Sequence, residues 1–96
     1  MLEQTKEIYQ FIELCFQSKD VSMVALLLDL FLTPEELTNL VMRISIICEL
    51  IKKEKTQRDI AKGLNVSIAK ISRGSNELKK IDKRLLAYLK ENLTCS

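Results

Sequence analysis

The sequence contains no histidine. That removes the His-based triads, the commonest general acid–base side chain and most zinc ligand sets. Cysteine is scarce: Cys15, Cys48 and Cys95 form no C-x-x-C pair and leave an odd number. They read as two core positions and one frayed terminal thiol, in a reduced, cytoplasmic chain. With two Gly and one Pro, the chain is neither collagen-like nor linker-dominated. Aromatics are few, at 5%, so Leu and Ile carry most of the apolar content. No apolar run reaches the roughly 18–20 residues of a membrane span. The opening MLEQTKEIYQ lacks the basic and apolar regions of a secretory leader. Without His, and without a clustered carboxylate pair in a recognisable motif, no catalytic constellation emerges, and an enzyme is not expected.

What is present fits one small globular domain with one core: 96 residues, 47% apolar and 29% charged. The net charge of +2 conceals an asymmetry. Residues 1–51 carry three basic and eight acidic side chains; residues 52–96 carry twelve basic and five acidic. A basic half on an acidic half suggests a polyanion for one face only.

The periodicity predicts six helices. The first spans about residues 3–17, with Ile8, Phe11, Ile12, Cys15 and Phe16 on one face. The second, VSMVALLLDLFL (21–32), is apolar all round and is expected to be buried all round. Thr33-Pro34-Glu35-Glu36 marks the third with a capping box and a proline at its first position. That helix runs to about Glu54 with two apolar stripes, Leu37, Leu40, Val41, Ile44, Ile47, Cys48 and Ile51, and Met42, Ile46 and Leu50. Two apolar faces in so short a chain imply a homodimer with a shared core.

Residues 56–73, TQRDIAKGLNVSIAKISR, have a helix-turn-helix pattern. Thr56 caps a short helix with Ile60, Ala61 and Leu64 inward. Asn65 suits a left-handed turn, Val66 packs inward, and Ser67 caps a second helix with Ile68, Ile71 and Leu78 inward. An ordinary helical hairpin has the same pattern. Lys52, Lys53, Lys55, Arg58, Lys62 and Lys70, with further basic residues to Arg84, favour DNA. In such a motif the start of the second helix meets base edges. The DNA-facing set is Gln57, Arg58, Ser67, Ile68, Ala69, Lys70 and Ser72. Only Lys70 in the first turn is a strong directional reader, so water bridges and DNA shape should carry much of the specificity.

LLDLFLTPEEL (27–37), Arg43 and TQRDIAKGLNVSIAKISRGSNELK (56–79) together resemble the bacterial Trp repressor family. The resemblance covers residues 26–93 well and the first helix loosely. It implies an all-α, six-helix chain of one domain, forming an intertwined homodimer. Residues 1–54 and 81–93 would build the dimer core, and 56–79 the helix-turn-helix reading head. It implies L-tryptophan as corepressor, held in a pocket built from both chains. Arg43 and Arg73 would sandwich the indole, and Arg73 would pair with the carboxylate. The Leu30 and Leu32 carbonyls would accept from the ammonium, with Thr33 and Gly74 completing the wall. Bound tryptophan would set two recognition helices about one DNA turn apart, roughly 34–36 Å, on a near-palindromic double-stranded operator.

The chain departs from the family in three places. Glu77 stands where the family has a Ser that helps hold the ammonium. Ala61 and Lys70 replace a usually basic residue and a Thr. The family's polar N-terminal arm is missing, since helical pattern begins by Glu3. Two other readings fit the residues: a regulator of this fold with another indole-like ligand or none, and a helical module that binds an acidic protein. No metal and no membrane partner is expected.

Overall fold

The computed structural model describes residues 5–95. They form six α-helices: α1 (Lys6–Ser18), α2 (Val21–Phe31), α3 (Pro34–Lys52), α4 (Gln57–Leu64), α5 (Ile68–Lys80) and α6 (Lys83–Asn92). No strand occurs among the described residues, so the all-α, six-helix expectation holds. The expected first turn of α1, at Glu3 and Gln4, lies outside the described residues.

Short polar side chains set most of the helix starts. Thr5, Asp20, Thr56, Ser67 and Asp82 each accept a backbone N–H of the first turn they precede. At α3 the capping box is complete. Glu36 N–H donates to Thr33 Oγ1 at 3.1 Å, and Thr33 N–H donates to Glu36 Oε1 at 2.8 Å. This helix ends two residues before Glu54, because Lys53 turns left-handed with φ 55°. A left-handed residue past a helix end lets its last carbonyls find new donors.

The chain divides into two compact units, one up to Asn39 and one from Leu40. In the first, α1 packs on α2, and Phe11 meets Phe31 edge-on with ring centroids 5.5 Å apart. The expectation that α2 is buried all round fails within one chain. None of its residues is buried, and Val21 and Leu30 are 86% and 76% exposed. A single packed neighbour covers one side of a helix and leaves the other open.

In the second unit, Ile46 of α3, Ile60 and Ala61 of α4 and Ile71 of α5 form the core, flanked by Met42, Leu50, Leu64 and Val66. One stripe of α3 thus serves the α4–α5 pair. Leu40, Val41 and Ile44 of its other stripe remain exposed. Ile71 is fully buried, whereas Ile68, expected inward, is 46% exposed. As the first residue of α5, Ile68 sits at the rim of the contact that Ile71 centres. Cys48 is buried as expected, but Cys95 is no frayed thiol. It is disulfide-bonded to Cys48 across 47 residues of sequence, and only Cys15 is free. Spacing carries no signal for a pair that the fold alone brings together.

Candidate functional site

The α4–α5 pair is held by its turn as much as by its core. Thr56 Oγ1 accepts from Asp59 N–H at 3.1 Å and Ser67 Oγ from Lys70 N–H at 3.3 Å. Between the helices, Asn65 adopts φ 57°, ψ 48°, the left-handed conformation expected of it. Val66 N–H then reaches back to the Ala61 carbonyl at 3.0 Å. Small Ala61, 7% exposed, lies where the two helices pack against one another.

This frame leaves Gln57, Arg58, Ser67, Ile68, Ala69 and Lys70 exposed, and Ser72 half-buried. Ser72 Oγ donates to Gln57 Oε1 at 2.8 Å, joining the fifth residue of α5 to the first of α4. Pattern reading missed this bond, because residues 15 apart carry no helical spacing.

The basic charge around the pair is largely uncompensated. Glu49 takes Lys52 and Lys55 at 3.7 and 3.6 Å, and Asp82 takes Arg84 at 3.1 Å. Arg43, Lys53, Arg58, Lys62, Lys70 and Arg73 have no ion pair among the described residues. The Asp82 carboxyl is held below its ordinary value of 3.8, first by the Arg84 side chain and then by the Arg84 backbone N–H.

Arg43 and Arg73 flank one contact. A Cβ added to Gly74 would lie 3.1 Å from Ile46 Cγ2 and 3.3 Å from Leu50 Cδ1. Thus α5 approaches α3 closely at this glycine. Arg73 adjoins Gly74, and Arg43 stands one turn before Ile46; both are exposed. Glu77 is also exposed, one turn beyond Arg73, and forms no ion pair with it. Two unpaired guanidinium groups offer flat cationic surfaces that stack on an aromatic ring or bind a carboxylate.

In the first unit, among the described residues, no hydrogen bond to the Leu30 or Leu32 carbonyl occurs where the chain passes from α2 through extended Leu32 into α3. The donor four residues beyond Leu30 would be Pro34, which has no N–H. Leu32 lies between the helices in extended backbone, and Glu36 N–H is taken by Thr33 Oγ1. Thr33 N–H is likewise committed to Glu36. Free carbonyls of this kind suit an ammonium group. No group of three or more metal-ligating side chains occurs among the described residues, and no helix there is long and apolar enough to cross a membrane.

Comparison with known proteins gives the family. The family described as Trp repressor protein matches residues 6–93. A Trp operon repressor homolog of Vibrio campbellii is 45% identical over 74 residues, covering 77% of this chain and 74% of the relative. One from Pasteurella multocida is 36% identical over 93 residues, covering 96% and 87%. One from Chlamydia caviae is 41% identical over 80 residues, covering 83% and 79%. The match takes in the α3 capping box, the α4–α5 pair and both flanking arginines. This chain is a member of the Trp repressor protein family, whose proteins regulate transcription and are not enzymes.

Proposed function

We propose that this chain is a tryptophan-dependent repressor of tryptophan-operon transcription, acting as a homodimer on a near-palindromic operator. The observation that carries the reading is the pair Arg43 and Arg73. They are exposed, lack ion pairs among the described residues, and flank the close α3–α5 contact at Gly74. Tryptophan supplies a planar ring, a carboxylate and an ammonium. Arg43 and Arg73 stack on the ring, and Arg73 also binds the carboxylate. The Leu30 and Leu32 carbonyls accept from the ammonium, and Thr33 and Gly74 wall the site. Glu77 adds a carboxylate for the ammonium, so affinity depends on the ligand's amino group more than a serine there would make it.

The exposed apolar residues of α2 and of the outer α3 stripe are where a second copy packs. The α4–α5 pair, residues 56–79, is the helix-turn-helix reading head, and the remaining helices belong to the dimer core. Lys70 and Ala69 in the first turn of α5 face base edges, and Arg58 and Gln57 on α4 reach the backbone. Tryptophan binds better to the arrangement with correctly spaced heads, and so shifts the population toward it.

Calorimetric titration with L-tryptophan tests the ligand, with tyrosine and an indole acid lacking the amine as controls. One tryptophan per chain is expected, with much weaker binding of both controls. Equal binding of the amine-free acid would remove Glu77 and the two carbonyls from the site. No binding at millimolar tryptophan would leave a regulator with another effector or none. In the same preparation, duplex DNA binding should weaken steeply with salt as counterions are released. A module for an acidic protein would show no such binding to DNA.

A further inference from the structure

The hydrogen bond from Ser72 to Gln57 decides what each of these residues can offer to DNA. It is, among the described residues, the one side-chain to side-chain hydrogen bond that joins two helices. Both ends stand on fixed backbone. Ser72 follows Ile71, which is fully buried, and Gln57 lies between the capping Thr56 and buried Ile60. A serine hydroxyl has one proton, and here it is spent on Gln57 Oε1 at 2.8 Å. Ser72 therefore keeps only acceptor capacity. Phosphate oxygens are acceptors too, so Ser72 has nothing to give them. Gln57 is left with its carbonyl end turned toward α5 and both amide hydrogens free.

We propose that Ser72 is a positioning residue: it locks the Gln57 amide with its NH2 outward, and Gln57 alone of the two contacts the DNA phosphate. The inference rests on the DNA-binding reading above. In a docked helix-turn-helix the first helix crosses the backbone, which brings the start of α4 to phosphate oxygens. An unrestrained primary amide can present either end, and its carbonyl end is repelled by a phosphate. The Ser72 bond settles that choice before binding, so the orientation cost does not fall on the complex. It also biases Gln57 against two-point recognition of adenine, which needs the carbonyl and the amide aimed together at the base.

A double-mutant cycle tests this. Wild type, Ser72→Ala, Gln57→Ala and the double variant, each saturated with L-tryptophan, are titrated against a duplex selected by the tryptophan-loaded wild-type protein from a random pool, at several salt concentrations. Each single change is expected to weaken binding about three- to tenfold, in line with losing a charge-assisted hydrogen bond. The double variant should bind no worse than Gln57→Ala alone. Ser72→Thr, which keeps the hydroxyl, should restore binding. Further weakening by Ser72→Ala in the Gln57→Ala background would overturn the proposal, because Ser72 would then touch DNA itself. An unchanged Kd for Ser72→Ala beside a weakened Gln57→Ala would overturn it equally. A second readout needs no DNA: the Gln57 side-chain NH2 resonances should shift and lose order on Ser72→Ala. Unaltered resonances would show that the bond does not hold in solution. If no variant binds any duplex even at low salt, the DNA reading fails and the phosphate role fails with it. The NH2 signal still reports whether the lock exists, so the two failures are told apart.

Discussion

Two glycines separated by eleven positions have opposite reasons for being there. An ideal Cβ on Gly63 meets nothing within 4 Å, and no glycine in the chain has a positive φ. Gly63 sits inside α4 with its missing side chain directed at open space. Gly63→Ala should therefore stabilise the fold by about 0.5–1 kcal/mol, through a less flexible unfolded chain. At Gly74 the same change drives a methyl to 3.1 Å from Ile46 and 3.3 Å from Leu50. Overpacking of that kind costs roughly 1–3 kcal/mol. Urea unfolding of both variants checks the pair, and a stabilised Gly74→Ala would mean that the Ile46 and Leu50 methyls shift aside for the added one. Gly74 leaves the room that the Ile46 and Leu50 side chains fill.

Helix ends are where elements are decided, and α6 shows how. Asp82 Oδ1 accepts from Arg84 N–H at 2.7 Å, while Oδ2 takes the Arg84 guanidinium at 3.1 Å. The Arg84 side chain, then its backbone N–H, holds the Asp82 carboxyl below 3.8. A carboxyl depressed by folding adds stability above its unfolded value and loses it as pH falls through the folded value. The cap on α6 should therefore survive acidification to about pH 4 and open only below it. A pH titration of the Arg84 amide resonance checks this, and a midpoint at or above 3.8 would be the contrary result. Asp82→Asn should abolish the titration. Such caps explain why most elements were legible in the sequence. Thr33-Pro34-Glu35-Glu36, Thr56 and Ser67 announce α3, α4 and α5 locally, and the structure starts each helix there. Lys53 was not legible as a stop, because lysine has no preference for the left-handed backbone it adopts. Ile68 was misplaced for another reason: a period of 3.6 names a face but not where the contact ends. The site was legible as far as residue types reach. The arginines and the capping box stand out in the string, whereas the Ser72–Gln57 bond exists only once two helices are folded together.

At the scale of the whole molecule, the two features that local pattern could not supply are an uncovered apolar surface and a covalent tie. The first is α2, none of whose residues is buried within one chain; on the proposed function a second copy covers it. The second stays within a unit. Cys48 and Cys95 close 47 residues of sequence, a loop containing α4 and α5. Closing such a loop in the unfolded chain is worth about 4 kcal/mol on the chain-entropy account. Reduction, or Cys95→Ser, should lower the urea midpoint to a matching degree, and an unchanged midpoint would show that the bond is not formed in solution. The same tie also sets where mechanical load can travel. Tension applied at residues 5 and 95 runs along α1, α2 and most of α3 to Cys48 and then crosses the sulfur bridge. The closed ring, which contains α4, α5 and α6, hangs unloaded. At about 3.4 Å per residue, roughly 160 Å of contour stays hidden from a stretching force until a reductant cuts the bridge.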